Sequence, residues 1–306
     1  MTQIDQAWGS GPSSRYEDLA EPFRPLFRSI KDTAVARDLE RRLPYDEIKA
    51  LRAAGFTTVR VPDEFGGAGA TLPELFNLLI ELSEADSNVT NSLRSHFGFT
   101  EDVLNSADPK RRELWLRRIG EKTLFGNGHS EVGDNKLQAF STTVSSKDGQ
   151  LVLNGRKYYT TGTLFADWIN IAAQHENGEP VGVVVSRHSP GVEVLDDWDG
   201  FGQALTASGT TIFKDVPVEG NQVIPVTARF KYSNPFYQLV HLATLAGIGR
   251  AAANDVAHLV KQRTRVFSHG NADRVAADPQ ILQVVGRVRG NAYAAGAIVL
   301  KVAEAL

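Results

Sequence analysis

Thr160, Thr161 and Gly162 stand in the stretch RKYYTTGTLFADWI, Arg156 to Ile169, between an Asn-Gly pair and a return to apolar residues. Short hydroxyl side chains and main-chain groups at a strand end are rigid hydrogen-bonding groups, suited to holding the edge of a polar ligand. The same residue types are also good strand formers. Tyr158 and Tyr159 are expected to alternate across that strand, one of them packing inward. Two histidines are potential proton carriers, His96 in SHFGF and His129 in GNGHS. Arg263 and Arg265 in RTRVFSHG offer guanidinium forks that suit a phosphate, although cations are equally at home closing a helix C-terminus.

Other chemistries are disfavoured by what is missing. There is no cysteine, which removes thiolate nucleophiles, thiolate metal ligands and disulfides. The seven histidines show no HExxH or other compact ligand spacing, so no metal is expected. A G-x-S-x-G elbow is absent, which argues against a serine hydrolase. VPDEFGGAGAT looks like a phosphate loop but lacks the Lys-Ser/Thr ending. Its glycines are expected to shape a tight link before a helix that starts near Leu72, with Thr71 as N-cap and Pro73 in the first turn. A net charge of -3 leaves no footprint for nucleic acid, and Arg111, Arg112, Arg117 and Arg118 around Trp115 read as a solvated helix face. The N-terminus has no basic stretch followed by an apolar core, and no run approaches the roughly 18 apolar residues of a spanning helix. A soluble, cytoplasmic protein with no membrane partner is the expectation.

The elements that must position these residues come in three blocks. From Tyr16 to Ile119 apolar residues recur at spacings of three and four, as in Leu19, Phe23, Leu26 and Phe27, or Leu75, Leu78, Leu79 and Leu82. From Phe125 to about Val226, short β-branched and aromatic runs are punctuated by Asp148-Gly149, Asn154-Gly155 and Asn177-Gly178, each a hairpin signal. This predicts a compact antiparallel barrel or sandwich of about seven strands. Beyond Asn234 a long helix rich in Ala and Gly follows, then a second that begins near Pro279 with Asp278 as its cap. The expected domains are 16–124, 125–230 and 231–306. The helical pattern runs to Leu306 without a terminator, and two long helices with broad apolar faces need further helices or neighbouring subunits to cover them.

Six motifs, GFTTVRVPDEFGGAGAT, FGNGHSEVG, NGRKYYTTG, GFGQALTASGTTIFKDVPV, LAGIGRAA and RTRVFSHG, occur in an order that resembles the acyl-CoA dehydrogenase fold family from about residue 20 to the end. The resemblance implies an α+β multidomain fold: an N-terminal helical domain, a central antiparallel β-barrel and a C-terminal helical bundle, apparently incomplete at residue 306. It also implies that the YYTTG segment lies along a flavin, with Thr160 and Thr161 hydrogen-bonding its N5/C4 edge.

The fold hosts two chemistries, oxidation of acyl thioesters by FAD and oxygen insertion by reduced flavin. A dehydrogenase needs a carboxylate base. In most of the family that residue lies beyond the point where this sequence stops, and the segment PFYQLVHLATLAGIG, which carries it in one branch, has no Glu or Asp. DDWDGFGQALTASGT, RTRVFSHGNADRVAADPQ and SHFGF resemble instead the dibenzothiophene monooxygenase-like, reduced-flavin-dependent subgroup (group D). By that resemblance His96 and Trp198 would line the substrate pocket, with His96 at the reactive face. Asn127 would hydrogen-bond the substrate or flavin-bound oxygen, and the Thr161 hydroxyl would replace the subgroup's serine beside C4a and N5. Ser130 would donate a further hydrogen bond to the cofactor, Phe267 would pack against it, and Arg265, or Arg263 in a shifted register, would hold its phosphate across a subunit boundary. The implied cofactor is reduced FMN from a separate NAD(P)H:flavin reductase, the implied assembly a homotetramer, and the substrate a small apolar or organosulfur molecule with O2. The alternatives are an FAD-dependent acyl-CoA dehydrogenase and a flavin-free assembly subunit.

Overall fold

Helix α4, Leu72–Ala85, begins where its residues require: the Thr71 hydroxyl accepts from the Glu74 N–H, the Glu74 carboxylate accepts from the Thr71 N–H, and Pro73 occupies the first turn. This reciprocal cap satisfies two of the donors that any helix start leaves open. The computed structural model describes residues 8–132, 140–225 and 229–306. Gly133 of the FGNGHSEVG motif and Val226, the expected end of the β region, lie outside the described residues.

The chain forms two units, each drawn from separate stretches. The first takes the described residues up to Ala34, Thr71–Thr90 and Gln238–Leu306. It contains α1 (Tyr16–Ala20), the start of α2 (Arg24–Leu39), α4, most of α8 (Ser233–Gln262) and α9 (Pro279–Ala303). The Ala- and Gly-rich face of α8 does allow close approach, since a Cβ on Gly247 would lie 2.6 Å from the Ile80 carbonyl of α4. Asp278 caps α9 by accepting from the Gln280 N–H at 2.9 Å. Leu245, Leu259, Val284 and Ile298 on these two helices remain exposed.

The second unit, Val35–Ala70 and Asn91–Tyr237, carries the sheet. Its strands are β1 (Phe125–Gly128), β2 (Thr143–Lys147), β3 (Gln150–Lys157), β4 (Trp168–His175), β5 (Pro180–Ser186), β6 (Val192–Val194), β7 (Thr211–Val218) and β8 (Val223–Pro225). They form one sheet in the order β6-β7-β3-β2-β4-β5-β8, with β1 beside β4. Most pairs are antiparallel as expected, but β1 and β2 both run parallel to β4, so the sheet is mixed. Strand β1 has the sequence FGNG and no β-branched residue to announce it.

Two of the three hairpin signals are turns. Asp148 and Gly149 both adopt left-handed conformations, with φ of 52° and 81°, between β2 and β3, as the favoured tight hairpin requires. Asn177-Gly178 joins β4 to β5. Asn154-Gly155 instead lies inside β3, where the step from Leu153 to Gly155 faces the longer step from Val216 to Phe213 in β7. The extra residue is accommodated by Asp215 in a left-handed conformation, and the Asn154 amide clasps it through bonds of 2.8 and 3.1 Å. The pair reads as a turn locally, and the bulge opposite it overrides that preference.

One face of the sheet packs Val144, Leu153, Ile169, Ile171, Val183, Phe213 and Val216 together. The other meets α6 (Arg94–Leu104) and α7 (Pro109–Gly120). There Phe99 stacks on Phe125 at 4.1 Å, and Trp115 stands edge-on to Phe125 and Trp168. Arg118 of the expected solvated cluster is half-buried and lies over both tryptophan rings at 4.6 Å, a cation–π arrangement rather than a purely hydrated face.

Candidate functional site

Strand β3 ends at Lys157, so the tyrosines that follow do not alternate across it. Tyr159 is left-handed, with φ of 59°. The Tyr158 and Tyr159 rings meet at 4.8 Å, and both approach Trp198, at 6.2 and 5.7 Å. The expected inward tyrosine is therefore replaced by an aromatic cluster of three. Trp198 is held in turn by donating from Nε1 to the Gln203 carbonyl at 3.0 Å.

Beneath the tyrosines Lys157 and Glu131 form an ion pair of 2.6 Å with almost no exposure. Burial alone would raise the Glu131 carboxyl, but bonds from Lys157, Ser141 and Thr142 outweigh it and hold the group at about 2. Burial pushes the Lys157 ammonium down despite its partner. This clasp fixes the end of β3 and leaves Ser130 exposed next to it, its carbonyl accepting from the Tyr158 N–H at 3.0 Å.

The chain then turns at Gly162, with φ of 78°, where a Cβ would come within 2.1 Å of the Ser92 carbonyl. Only glycine tolerates both the conformation and the approach. The two threonines ahead of it are used differently. Thr160 Oγ1 donates to the Gly209 carbonyl at 2.8 Å and accepts from Thr211 Oγ1 at 2.9 Å. Its hydroxyl and N–H protons are both committed to Gly209 within the β unit, and its carbonyl accepts from the Thr163 N–H at 3.0 Å. Thr161 Oγ1 instead sits 2.8 Å from Ser208 Oγ. Thr163, just past the glycine, was not singled out by sequence; its hydroxyl donates to the Asn127 carbonyl at 3.0 Å and accepts from the Asn127 N–H at 3.1 Å, fixing that residue in β1.

His96, on α6, is 1% exposed and packs its ring on Phe125 and edge-on to Phe97. Its Nε2 lies 2.7 Å from the Thr57 carbonyl. A carbonyl only accepts, so Nε2 carries the proton and Nδ1 of the neutral ring is a bare acceptor. Burial pulls this imidazole down to about 4, the Thr57 bond opposing only part of the shift. His96 is consequently neutral at pH 7.

Several buried polar atoms around these residues have no partner among the described residues: Thr57 Oγ1, Asn91 Oδ1, Ser95 Oγ, His96 Nδ1, Asn127 Oδ1 and Asn170 Oδ1. Asn127 and Asn170 are directly opposite each other in the β1–β4 register. Native proteins leave few such groups unsatisfied, and a cluster of them points to a polar ligand. Asn170 was missed in the sequence, although an asparagine inside the run WINIAA is out of character for a strand.

Arg263, Arg265 and Phe267 lie in the other unit, on the link between α8 and α9. All three are exposed, and both guanidinium groups sit over the Phe267 ring, at 5.6 and 5.9 Å. No cluster of three or more potential metal ligands occurs among the described residues, and no helix among them is long and apolar enough to cross a membrane.

Residues 17–123 match the model of the acyl-CoA dehydrogenase N-terminal domain, and residues 128–216 match that of the middle domain. A dibenzothiophene monooxygenase of Mycolicibacterium goodii is 27% identical over an alignment that covers 100% of this chain and 77% of the relative. The probable FMNH2-dependent monooxygenase SfnC of Pseudomonas putida is 26% identical over 86% of this chain and 67% of its own length. Among solved structures, FMN-bound TdsC from Paenibacillus sp. A11-2 superposes with a TM-score of 0.85 at 26% identity, covering 92% of this chain and 75% of that one. With both the helical and the β region matched and the fold shared, the chain belongs to the acyl-CoA dehydrogenase family.

Proposed function

We propose that this protein is a monooxygenase that takes reduced FMN from a separate NAD(P)H:flavin reductase and uses it with O2 to oxygenate a small apolar or organosulfur molecule. The observation that carries the proposal is the set of buried, uncharged and partnerless atoms on Thr57, Ser95, His96, Asn127 and Asn170. A monooxygenase needs a dry pocket with a few neutral donors and acceptors. The relatives named for dibenzothiophene and for FMNH2 support the same reading.

The residues fit the polar edge of a flavin ring, since the orphaned atoms supply acceptors on Asn91, His96, Asn127 and Asn170 and hydroxyls on Thr57 and Ser95 that can donate. In this reading His96, Asn127 and Thr161 face the reactive edge. Thr160 contributes its carbonyl, whose second lone pair is open, Ser130 its exposed hydroxyl, and Trp198 a wall of the substrate pocket. Arg265 holds the phosphate of a flavin in a neighbouring subunit, with Phe267 packing beside it. Reduced FMN, when bound, supplies the two electrons with which one oxygen atom of O2 passes to the substrate and the other leaves as water. The protein's part is to hold His96 neutral with its proton at Nε2 against Thr57, and to fix Asn127 through Thr163. It also keeps water out with the Phe97 and Phe125 rings that pack on His96.

The same reading includes domains at 16–124, 125–230 and 231–306, a cytoplasmic location and a homotetramer. The exposed Leu242, Leu245, Leu259 and Ile298 of α8 and α9 support the assembly, since apolar rows of this kind mark interaction surfaces.

The test mixes protein and anaerobically reduced FMN with 18O2 and a panel of small thioethers and sulfur heterocycles. The expected result is a product carrying one labelled oxygen atom. Oxidation of an acyl-CoA with an artificial electron acceptor, and no labelled product from any sulfur compound, would overturn the proposal. Arg265→Ala should weaken FMN binding while leaving the flavin-free melting temperature unchanged; equal FMN affinity would place the phosphate elsewhere.

A further inference from the structure

The Thr161 hydroxyl belongs to a chain whose hydrogen-bond direction is determined from its far end. Thr161 Oγ1 lies 2.8 Å from Ser208 Oγ, Ser208 Oγ lies 2.6 Å from Thr206 Oγ1, and Thr206 Oγ1 lies 2.9 Å from the Gln203 carbonyl. Each hydroxyl has one proton, and a carbonyl can only accept. Of the three donors at the Gln203 carbonyl, Thr206 Oγ1 is the nearest, at 2.9 Å against 3.0 Å for Trp198 Nε1 and 3.3 Å for the Thr206 N–H, so Thr206 donates to Gln203 and accepts from Ser208. Ser208, its proton used, must accept from Thr161. The Thr161 proton consequently points inward along the chain, and what its oxygen presents outward is a lone pair.

The geometry of this chain is enforced. Thr161, Thr206 and Ser208 are almost fully buried, at 4%, 0% and 5% exposure, so water does not compete for their protons. Main-chain bonds tie the two segments together on either side, from Thr160 N–H to the Gly209 carbonyl and from Gly162 N–H to the Thr206 carbonyl. Gln203 and Ala207 both hold left-handed conformations, with φ of 54° and 50°. Such backbone is costly for residues with a side chain and persists where surrounding structure demands it. The Thr161 N–H, by contrast, makes no hydrogen bond to another described residue. At its outer side Thr161 thus offers an acceptor oxygen and a donor N–H together.

A flavin changes its hydrogen-bonding character at one edge atom when it is reduced. Oxidised N5 is an acceptor, whereas reduced N5 carries a hydrogen and donates; the neighbouring O4 accepts in both forms. An outward lone pair on Thr161 complements the reduced edge and faces an acceptor in the oxidised one. We infer that Ser208 and Thr206 are positioning residues that lock Thr161 Oγ1 as an acceptor and so make the site select reduced over oxidised FMN. This rests on the proposal that Thr161 faces the flavin edge. The selection has a use in a protein that receives reduced flavin by diffusion, because oxidised FMN in the same solution would otherwise occupy the site.

The test measures the dissociation constants of reduced FMN, under anaerobic conditions, and of oxidised FMN, by equilibrium titration without substrate or turnover. Wild-type protein should bind the reduced form at least tenfold more tightly, equivalent to raising the two-electron potential of bound FMN by about 30 mV or more. Thr206→Val removes the terminal donor, frees Ser208 to point its proton at Thr161, and lets the Thr161 proton turn outward. The preference should then fall by tenfold or more, and Thr206→Ser, which restores the hydroxyl, should recover it. Ser208→Ala, which frees Thr161 directly, should fall with Thr206→Val, and serves if the valine variant does not fold. Equal affinity for the two forms in wild type, or an unchanged ratio in Thr206→Val and Ser208→Ala with FMN still bound, would overturn the inference while leaving the monooxygenase proposal standing. Failure of wild type to bind FMN in either state would overturn both.

Discussion

The polar atoms around His96 and those around Thr161 are equally buried and oppositely disposed. On the His96 side, Asn91, Asn127 and His96 itself keep buried polar atoms without partners. On the Thr161 side, the hydroxyls of Thr160, Thr161, Thr206, Ser208 and Thr211 all bond to one another or to main chain. The difference separates two ways in which a protein prepares for a ligand. An unsatisfied wall costs stability until something binds and supplies the missing bonds. Hydroxyls that already bond one another carry no such penalty, and exert their influence through the direction in which their protons point.

The largest expected effect comes where the two regions meet. Gly162→Ala places a Cβ against the Ser92 carbonyl at a left-handed position and should cost about 3 kcal/mol of stability, read from urea unfolding. A loss below about 1 kcal/mol would mean that the two segments separate easily and the comparison is between neighbours rather than parts of one wall.

The unsatisfied side should also show itself in acid. The His96 pKa is about 4 in the folded chain against an ordinary value of 6.5. As pH falls through 6.5 the unfolded chain takes up a proton that the folded chain refuses. Stability present above pH 6.5 is therefore lost progressively down to pH 4, by about 3 kcal/mol. His96→Gln, which can still donate to Thr57 but does not titrate, should lose correspondingly less over the same range. Parallel pH profiles for the two proteins would show that His96 is hydrated.

Thr163→Val removes both bonds that fix the Asn127 main chain and should cost about 2 kcal/mol, with weaker binding of reduced FMN measured on protein that remains folded. Unchanged FMN affinity would detach Asn127 from the ligand. The smallest effect belongs to Thr160→Val. It should cost about 1 kcal/mol for the lost bond to Gly209 and leave the ratio of reduced to oxidised FMN affinity within twofold of wild type. A change as large as that of Thr206→Val would erase the distinction between the adjacent threonines.

What sequence discloses here follows the range of the interactions. The caps at Thr71 and Asp278 involve residues two or three apart, and both are legible in advance. The Asp148-Gly149 turn is equally local. Asn154-Gly155 misleads because the bulge that keeps it extended sits in β7, 61 residues away. Thr161 is recognisable as a hydroxyl at a strand end, but the direction of its proton depends on Ser208, 47 residues on. His96 is recognisable as a histidine among aromatics, but its neutrality depends on the Thr57 carbonyl and on burial that no spacing records. Family motifs supply part of this long-range information, because they carry the outcome of packing without its cause. They leave out Thr163 and Asn170, and they include Thr206 without showing its bond to Ser208, contributions that appear only in the folded chain.

The bulge in β7 has a consequence for how this strand can vary. Phe213 and Val216 are an odd number of residues apart, yet both reach the same core. In an unbroken strand they would point to opposite faces. Asp215 acts as a phase shift of one residue, which lets the second half of β7 fill the core while the first half delivers Phe213 to that core and the Thr211 hydroxyl to Thr160. Related chains should accept many side chains at the exposed Lys214 but not a change in length there, since losing a single residue would turn one half of the strand inside out.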